Sequence, residues 1–291
     1  MHTIKNDVLE ISVKEIGAEL CSIKSLSSEK EYIWDGNPEV WEAHAPNLFP
    51  IIGCLKDDGF LYKGKKYNCP KHGFVRKNKN VSLIHENHTS LTFGLEYSEE
   101  TLRVYPFKFY FFIKFILKEN SVIFEHTVVN NGDEKMWFSL GGHPAFKCPI
   151  NIDENYSDYF LEFENPETAE TWRVEKNGLI GKETTPVFDE PTIINLHPRL
   201  FEEDALVFKN LNSSKVSLKS IKSNQVLSVN FNDFPNLGIW AKPNADFVCI
   251  EPWLGIADSI DSDRNFENKE GLAVLEAGKS FTATYSIFID E

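Results

Sequence analysis

Methionine and arginine are scarce in this 291-residue chain, with two and five copies, and sulfur as a whole is thinly spread. The five cysteines are odd in number and widely scattered. They form no Cys-x-x-Cys pair, which excludes a dense disulfide scaffold and points to reduced thiols. Cys21, Cys148 and Cys249 lie in or beside apolar runs and read as small core residues. No apolar stretch approaches the length of a membrane span, and the opening Met1-His2-Thr3-Ile4-Lys5-Asn6-Asp7 has no apolar signal core. Gly-x-Gly-x-x-Gly, phosphate-loop and His-Glu-x-x-His spacings are all missing, so neither a nucleotide cofactor nor a metal is indicated. Positive charge is also in short supply. Thirty Lys and Arg against 44 Asp and Glu leave a formal net charge of −14, which opposes a nucleic-acid or anionic-membrane partner. The expectation is a soluble cytoplasmic protein whose oligomeric state the sequence leaves open.

Alternation fills the space that these absences leave. Phe107, Phe109, Phe111, Ile113 and Phe115 share one strand face while Lys108, Tyr110 and Lys114 take the other. The same period recurs at Leu91, Phe93, Leu95 and Tyr97, at Val122, Phe124 and Val128, and at Phe281, Ala283, Tyr285 and Ile287. Further strands are predicted at Val8–Val13, Glu19–Ser25, Val81–His85, Val216–Lys219, Val226–Phe231 and Phe247–Ile250. Lys63-Gly64-Lys65 closes a hairpin, and Asn120-Ser121 and Asn131-Gly132-Asp133 mark turns. Helical periodicity is rare; Pro38–Ala43 can form a single turn begun by Asn37. No Pro/Ser/Gly-rich linker divides the chain, so a single all-β sandwich domain over residues 1–291 is expected.

Three short blocks carry chemistry. His143 sits in the Gly/Pro-framed run Leu140-Gly141-Gly142-His143-Pro144-Ala145-Phe146, and His72 lies between Pro70 and Gly73. Glu251 follows the apolar Phe247-Val248-Cys249-Ile250, where Pro252 is expected to stop the strand. Two imidazoles and a desolvated carboxylate are the parts of a general acid–base site near neutral pH. Each has a plainer reading. A buried glutamate can be a structural hydrogen-bond node, a loop histidine is more often structural than catalytic, and an aromatic such as Trp253, Trp240 or Phe74 is more often core than a sugar platform. Asp204 follows Glu202 and Glu203, and an acidic run is usually a solvated face. Arg76 either orders the His72 loop or reaches a ligand.

The order of these blocks resembles the aldose 1-epimerase (galactose mutarotase) superfamily over essentially the whole chain, and more closely its LacX-like branch. Asn47-Leu48-Phe49-Pro50-Ile51-Ile52-Gly53 comes first. The His72 block, Gly142-His143-Pro144, Asp204-Ala205-Leu206-Val207-Phe208 and Glu251-Pro252-Trp253-Leu254-Gly255-Ile256-Ala257-Asp258 follow in turn. The resemblance implies a large antiparallel β-supersandwich whose concave sheet holds a sugar. It implies Glu251 as the base at the anomeric hydroxyl, His143 as the acid at the ring oxygen and His72 in a supporting role. It also makes Asp204 an acceptor from ring hydroxyls, with Trp253 and Arg76 as further candidate sugar contacts. The reaction it implies is interconversion of the α and β anomers of a hexopyranose, with no cofactor.

One position departs from that pattern. Many relatives carry a sugar-contacting arginine after the glycine of the Pro-x-x-Gly segment, where this chain has Cys54, and a thiol cannot replace a guanidinium's fixed donors. Lys56 would share the strand face of Cys54 if this segment were extended, and could substitute in part. Two alternatives follow. A hexose-6-phosphate 1-epimerase would need a cationic pocket, and Arg76, Arg103, Arg173, Arg199 and Arg264 show no cluster along the chain. A non-catalytic sugar-binding or regulatory protein on the same fold is the other.

Overall fold

The computed structural model describes residues 1–290. The alternating segments assemble into two large sheets whose strand pairings are all antiparallel. One has nine strands, with Ser280–Ile289, Ser121–Asn130, Phe109–Lys118 and Ser90–Glu96 as consecutive neighbours. The other has eight. Leu206–Lys209, Asn236–Trp240 and Phe247–Trp253 lie at its centre, and the short Gly141–Gly142, Asn47–Leu48 and Ala145–Lys147 strands line one side. A three-stranded sheet, His2–Lys5, Leu9–Lys14 and Glu19–Ser25, opens the chain.

The predicted period places the core. Along Phe109–Lys118 the buried and half-buried residues alternate, so Phe109, Phe111, Ile113 and Phe115 all point inward. Phe49, which follows the Asn47–Leu48 strand of the other sheet, meets them with ring centroids 5.1 Å from Phe109 and 5.0 Å from Phe111. Phe163 and Phe208 bridge the two sheets in the same way, 6.1 Å apart. Fully burying one such side chain contributes about 1.5–3 kcal/mol. The sandwich is therefore held chiefly by this aromatic layer.

Where the structure differs from the sequence expectation, the reason is local. Pro252 does not stop its strand, which runs on to Trp253. On that edge the Ile250 N–H donates to Pro144 O and the Leu254 N–H to Leu140 O. Pro252 lies between them, opposite Gly142, so the one ladder bond its missing N–H would make falls on this short edge, while on the other edge pairing with Asn236–Trp240 continues through Leu237↔Pro252. Pro38–Ala43 makes the single turn expected of it, with the Asn37 carbonyl accepting from both Val40 and Trp41, and the turn propagates no further. A six-residue helix, Glu99–Val104, forms from a segment that periodicity passed over, begun by a Ser98–Thr101 capping box. Cys148 and Cys249 are buried as expected, while Cys21 is half-buried. Among the described residues no helix is long and apolar enough to cross a membrane.

Candidate active site

Interruption of one sheet edge builds the site. The pairs Gly141↔Trp253 and Ala145↔Cys249 keep one register across the break, which sets His143 opposite Glu251. Directly opposed residues share a sheet face, so both side chains project to the side away from the aromatic core. His143 Nε2 stands 3.2 Å from Glu251 Oε2. The freed backbone at the break is not orphaned, because the His143 N–H donates to Pro46 O.

His143 is held from three sides. Trp41 stacks on its ring at 5.0 Å between centroids and Trp240 meets it edge-on at 6.0 Å. Beneath it Gly142 lies against Tyr285 of the nine-stranded sheet so closely that a Cβ there would sit 2.4 Å from the phenol oxygen. Glycine at 142 is thus a packing requirement, and it fixes the height of the histidine above the core.

His72 enters from a separate loop. The Gly73 N–H donates to Pro70 O in a tight turn, and His72 itself takes the left-handed region at φ 63°. Two reciprocal bonds tie it to Gly53: the His72 N–H donates to Gly53 O at 2.9 Å, and the Gly53 N–H donates to His72 Nδ1 at 3.2 Å. An accepting Nδ1 leaves the ring proton on Nε2, so His72 is a fixed donor. Its ring lies 5.5 Å from that of His143 in a T-shaped arrangement.

All three groups are nearly sealed, with relative exposures of 1% for Glu251, 5% for His72 and 7% for His143. Burial pushes the Glu251 carboxyl well above the ordinary carboxylate range, against the opposing positive charge of Lys71. Burial lowers His143 to about 3, with the Arg76 charge acting in the same direction, and drives His72 well below its usual value. Trp253, two residues along the same strand face, lies against the carboxyl without completing a hydrogen bond. Glu251 Oε2, Trp253 Nε1 and His143 Nδ1 are consequently buried polar atoms with no hydrogen-bond partner. Unpaired buried polar atoms are costly in a folded protein, and three of the six among the described residues belong to this one cluster of neighbours.

That cluster lies on the floor of a cavity of about 320 Å³, lined by Glu251, His143, His72, Trp253, Arg76 and Asp204 among others. Its volume falls at the small end of small-molecule sites. Asp204 is exposed, with a strained φ of 100°, and its Oδ1 accepts from the Ala205 N–H at 2.7 Å. Leu48, Ile52, Ile180, Val207 and Ile256 form a second apolar cluster around Trp253 on this face, separate from the main core.

Cys54 and Lys56 are not brought to the cavity. Cys54 lies behind the wall at Gly53 and Gly178, and a Cβ on Gly178 would meet its sulfur at 2.6 Å. The Cys54 carbonyl accepts from the Asp258 N–H. The segment is not extended, so the condition for Lys56 to share a strand face with Cys54 is not met. Lys56–Asp58 is a 3-10 turn with Asp57 at φ 55°, and it directs the Lys56 ammonium to Ser262 O at 3.0 Å. Asp258 anchors this region from below through a buried 2.9 Å ion pair with Lys269 and a bond from the Lys56 N–H.

Of the wall residues that escaped the sequence reading, Trp41 is the aromatic one and Lys71 the charged one. Trp41 lay in the segment read as a helical turn. Lys71 adjoins His72, and that adjacency was the available signal. Three possible metal donors, on His143, Cys249 and Glu251, also come within 4.8 Å of one another, a grouping that no local spacing motif could reveal. Burial raises both the thiol and the carboxyl, so it favours the protonated forms that do not ligate.

Fold and site together define an antiparallel β-sandwich with a buried carboxylate–imidazole pair on the floor of a small cavity, and comparison with known proteins supplies the family. The sequence profile described as aldose 1-epimerase matches residues 1–287, and the chain belongs to that family. It is similar to the plasmid-encoded protein LacX of Lactococcus lactis subsp. lactis, 35% identical over 275 residues and covering 91% of each chain. A galactose mutarotase related enzyme from Lactobacillus acidophilus superposes with a TM-score of 0.92 at 37% identity, covering 100% of this chain and 97% of the other. A galactose mutarotase-like protein from Lactobacillus casei gives 0.93 at 26%, with both chains fully covered.

Proposed function

We propose that this protein is an isomerase that interconverts the α and β anomers of a hexopyranose by general acid–base catalysis. The observation that carries this reading is the isolated pair: His143 Nε2 lies 3.2 Å from Glu251 Oε2 on the cavity floor, and Glu251 Oε2 has no hydrogen-bond donor. Mutarotation needs one group to take the proton of the anomeric hydroxyl and another to protonate the ring oxygen. Glu251 is the base and His143 the acid. The pyranose opens to the aldehyde, the C1–C2 bond rotates, and the reverse transfers close the opposite anomer.

The proton count fits this cycle. The pair shares one proton, and burial favours the arrangement with both groups neutral. That arrangement is the one the pair holds while the open-chain aldehyde is bound. The ring-opening form, carboxylate and imidazolium, is reached by moving the proton from Glu251 to His143 with no change in net charge. The charges of Lys71 and Arg76 favour the carboxylate.

Around this pair, the fixed Nε2–H of His72 donates to the reacting oxygens, Asp204 accepts from ring hydroxyls, and Trp253 offers an apolar surface to the C–H face. The test is NMR anomeric-exchange spectroscopy on glucose and galactose. Protein-dependent exchange is expected. Tight sugar binding without any acceleration would make the protein a sugar-binding module instead.

A further inference from the structure

The cavity is electrostatically polarised, in a chain of net charge −14. Lys71 and Arg76 stand at its wall. Neither side chain makes an ion pair or hydrogen bond among the described residues, whereas Arg173, Arg199 and Arg264 are all paired with carboxylates. Both cations also line the adjoining groove over Pro70–Asn80, where Lys77 and Lys79 join them against the single carboxylate of Glu100. Lys77 is already engaged by Glu42 at 2.9 Å. Asp204 also lines the cavity, and it borders a further groove where Glu175, Glu202 and Glu203 outnumber the cations Arg173 and Lys176.

We propose that the preferred pyranose carries an anionic group, a phosphate or a carboxylate, held by Lys71 and Arg76 at the cavity wall. This rests on the mutarotase reading of the same site and adds the substrate class to it. An unpaired guanidinium and ammonium at the wall of a half-enclosed cavity form a ready site for phosphate or carboxylate oxygens, and the guanidinium can bind them in bidentate fashion. Asp204 repels such a group and accepts from neutral hydroxyls. Cations and carboxylate together therefore favour an orientation that brings the charged tail to Lys71 and Arg76. The same two cations favour the carboxylate form of Glu251, so an anion that neutralises them also adjusts the acid–base pair.

The experiment measures binding and exchange separately. Isothermal titration of the full chain with glucose, glucose 6-phosphate and glucuronate is paired with NMR anomeric exchange of the same three sugars. At least one anionic sugar is expected to bind about tenfold or more tightly than glucose, and the arm that wins identifies phosphate or carboxylate. The advantage should shrink as salt rises from about 0.01 M to about 0.15 M, where the Debye length falls from about 30 to about 8 Å. Lys71→Met should cut it by about tenfold and Lys71→Arg should retain most of it, with folding checked by thermal melts of both. Equal binding of all three sugars, or no binding of any, overturns the anion subsite, as does a folded Lys71→Met protein that keeps the full preference. Anionic sugars bound preferentially but never exchanged would leave the subsite standing and sink the mutarotase reading.

Discussion

Replacing Glu251 by glutamine separates catalysis from stability in one substitution. The side chain is 1% exposed and the amide has the same shape, so no cavity opens and the fold is expected to persist. The base is removed, however, and a positioned acid or base contributes typically about 10²–10⁴-fold, or about 2.7–5.5 kcal/mol of barrier. Exchange should therefore fall by at least two orders of magnitude. Stability should move the other way. Burial raises the folded-state pKa of Glu251 above its unfolded value, so the folded chain binds the extra proton between the two values. The stability contributed by the protonated carboxyl is fully present below the unfolded pKa and is lost as pH rises through the folded one. Glutamine carries no such loss. Urea unfolding at acid, neutral and mildly alkaline pH should show Glu251→Gln gaining on the wild type steadily as pH rises. Wild-type exchange rates in the folded variant would remove Glu251 from the mechanism. A stability difference that widened toward acid pH would refute the burial argument.

His143→Asn should lower kcat by about 10²-fold or more while leaving KM within a few-fold, because an acid acts chiefly in the transition state; steady-state exchange kinetics would show the contrary as lost affinity with full turnover. Gly142→Ala places a Cβ 2.4 Å from the Tyr285 hydroxyl, and the overpacking should cost about 1–3 kcal/mol in urea unfolding and reduce exchange by displacing His143. Unchanged stability and activity there would mean that the sheets can part without consequence. Cys54→Arg should give no tighter binding of glucose or galactose in titration calorimetry, since the residue lies behind the wall against Gly178; a stable variant with a clear gain in affinity would show that this position does reach the sugar.

Much of the architecture follows from short-range rules. A two-residue period over Phe109–Lys118, Ser121–Asn130 and Ser280–Ile289 can be buried on one face only by a half-covered sheet, and Lys63-Gly64-Lys65 can only turn the chain back. The Glu99–Val104 helix was missed because six residues are too few to display a helical period; its signal was the Ser98–Thr101 cap.

The sequence by itself therefore determined the all-β class, the inward faces of its clearest alternating strands and the candidacy of His72, His143 and Glu251, because these depend on side-chain type and on neighbours a few positions away; strands without clear alternation, such as Leu206–Lys209 and Asn236–Trp240, escaped it. Only the tertiary structure decided which of the candidate residues meet. His143 and Glu251 are more than a hundred residues apart, and they touch because one register persists across a break in the sheet edge. Pro252 remains inside its strand because its missing N–H faces this short edge while the other edge stays paired through Leu237. Lys56 is turned from the cavity by a 3-10 turn and Cys54 packs against Gly178, while Lys71 and Arg76 reach the cavity wall from the segment that carries His72. Strand pairing is a long-range contact whose partner no local pattern specifies, and the direction of a loop side chain depends on what it packs against.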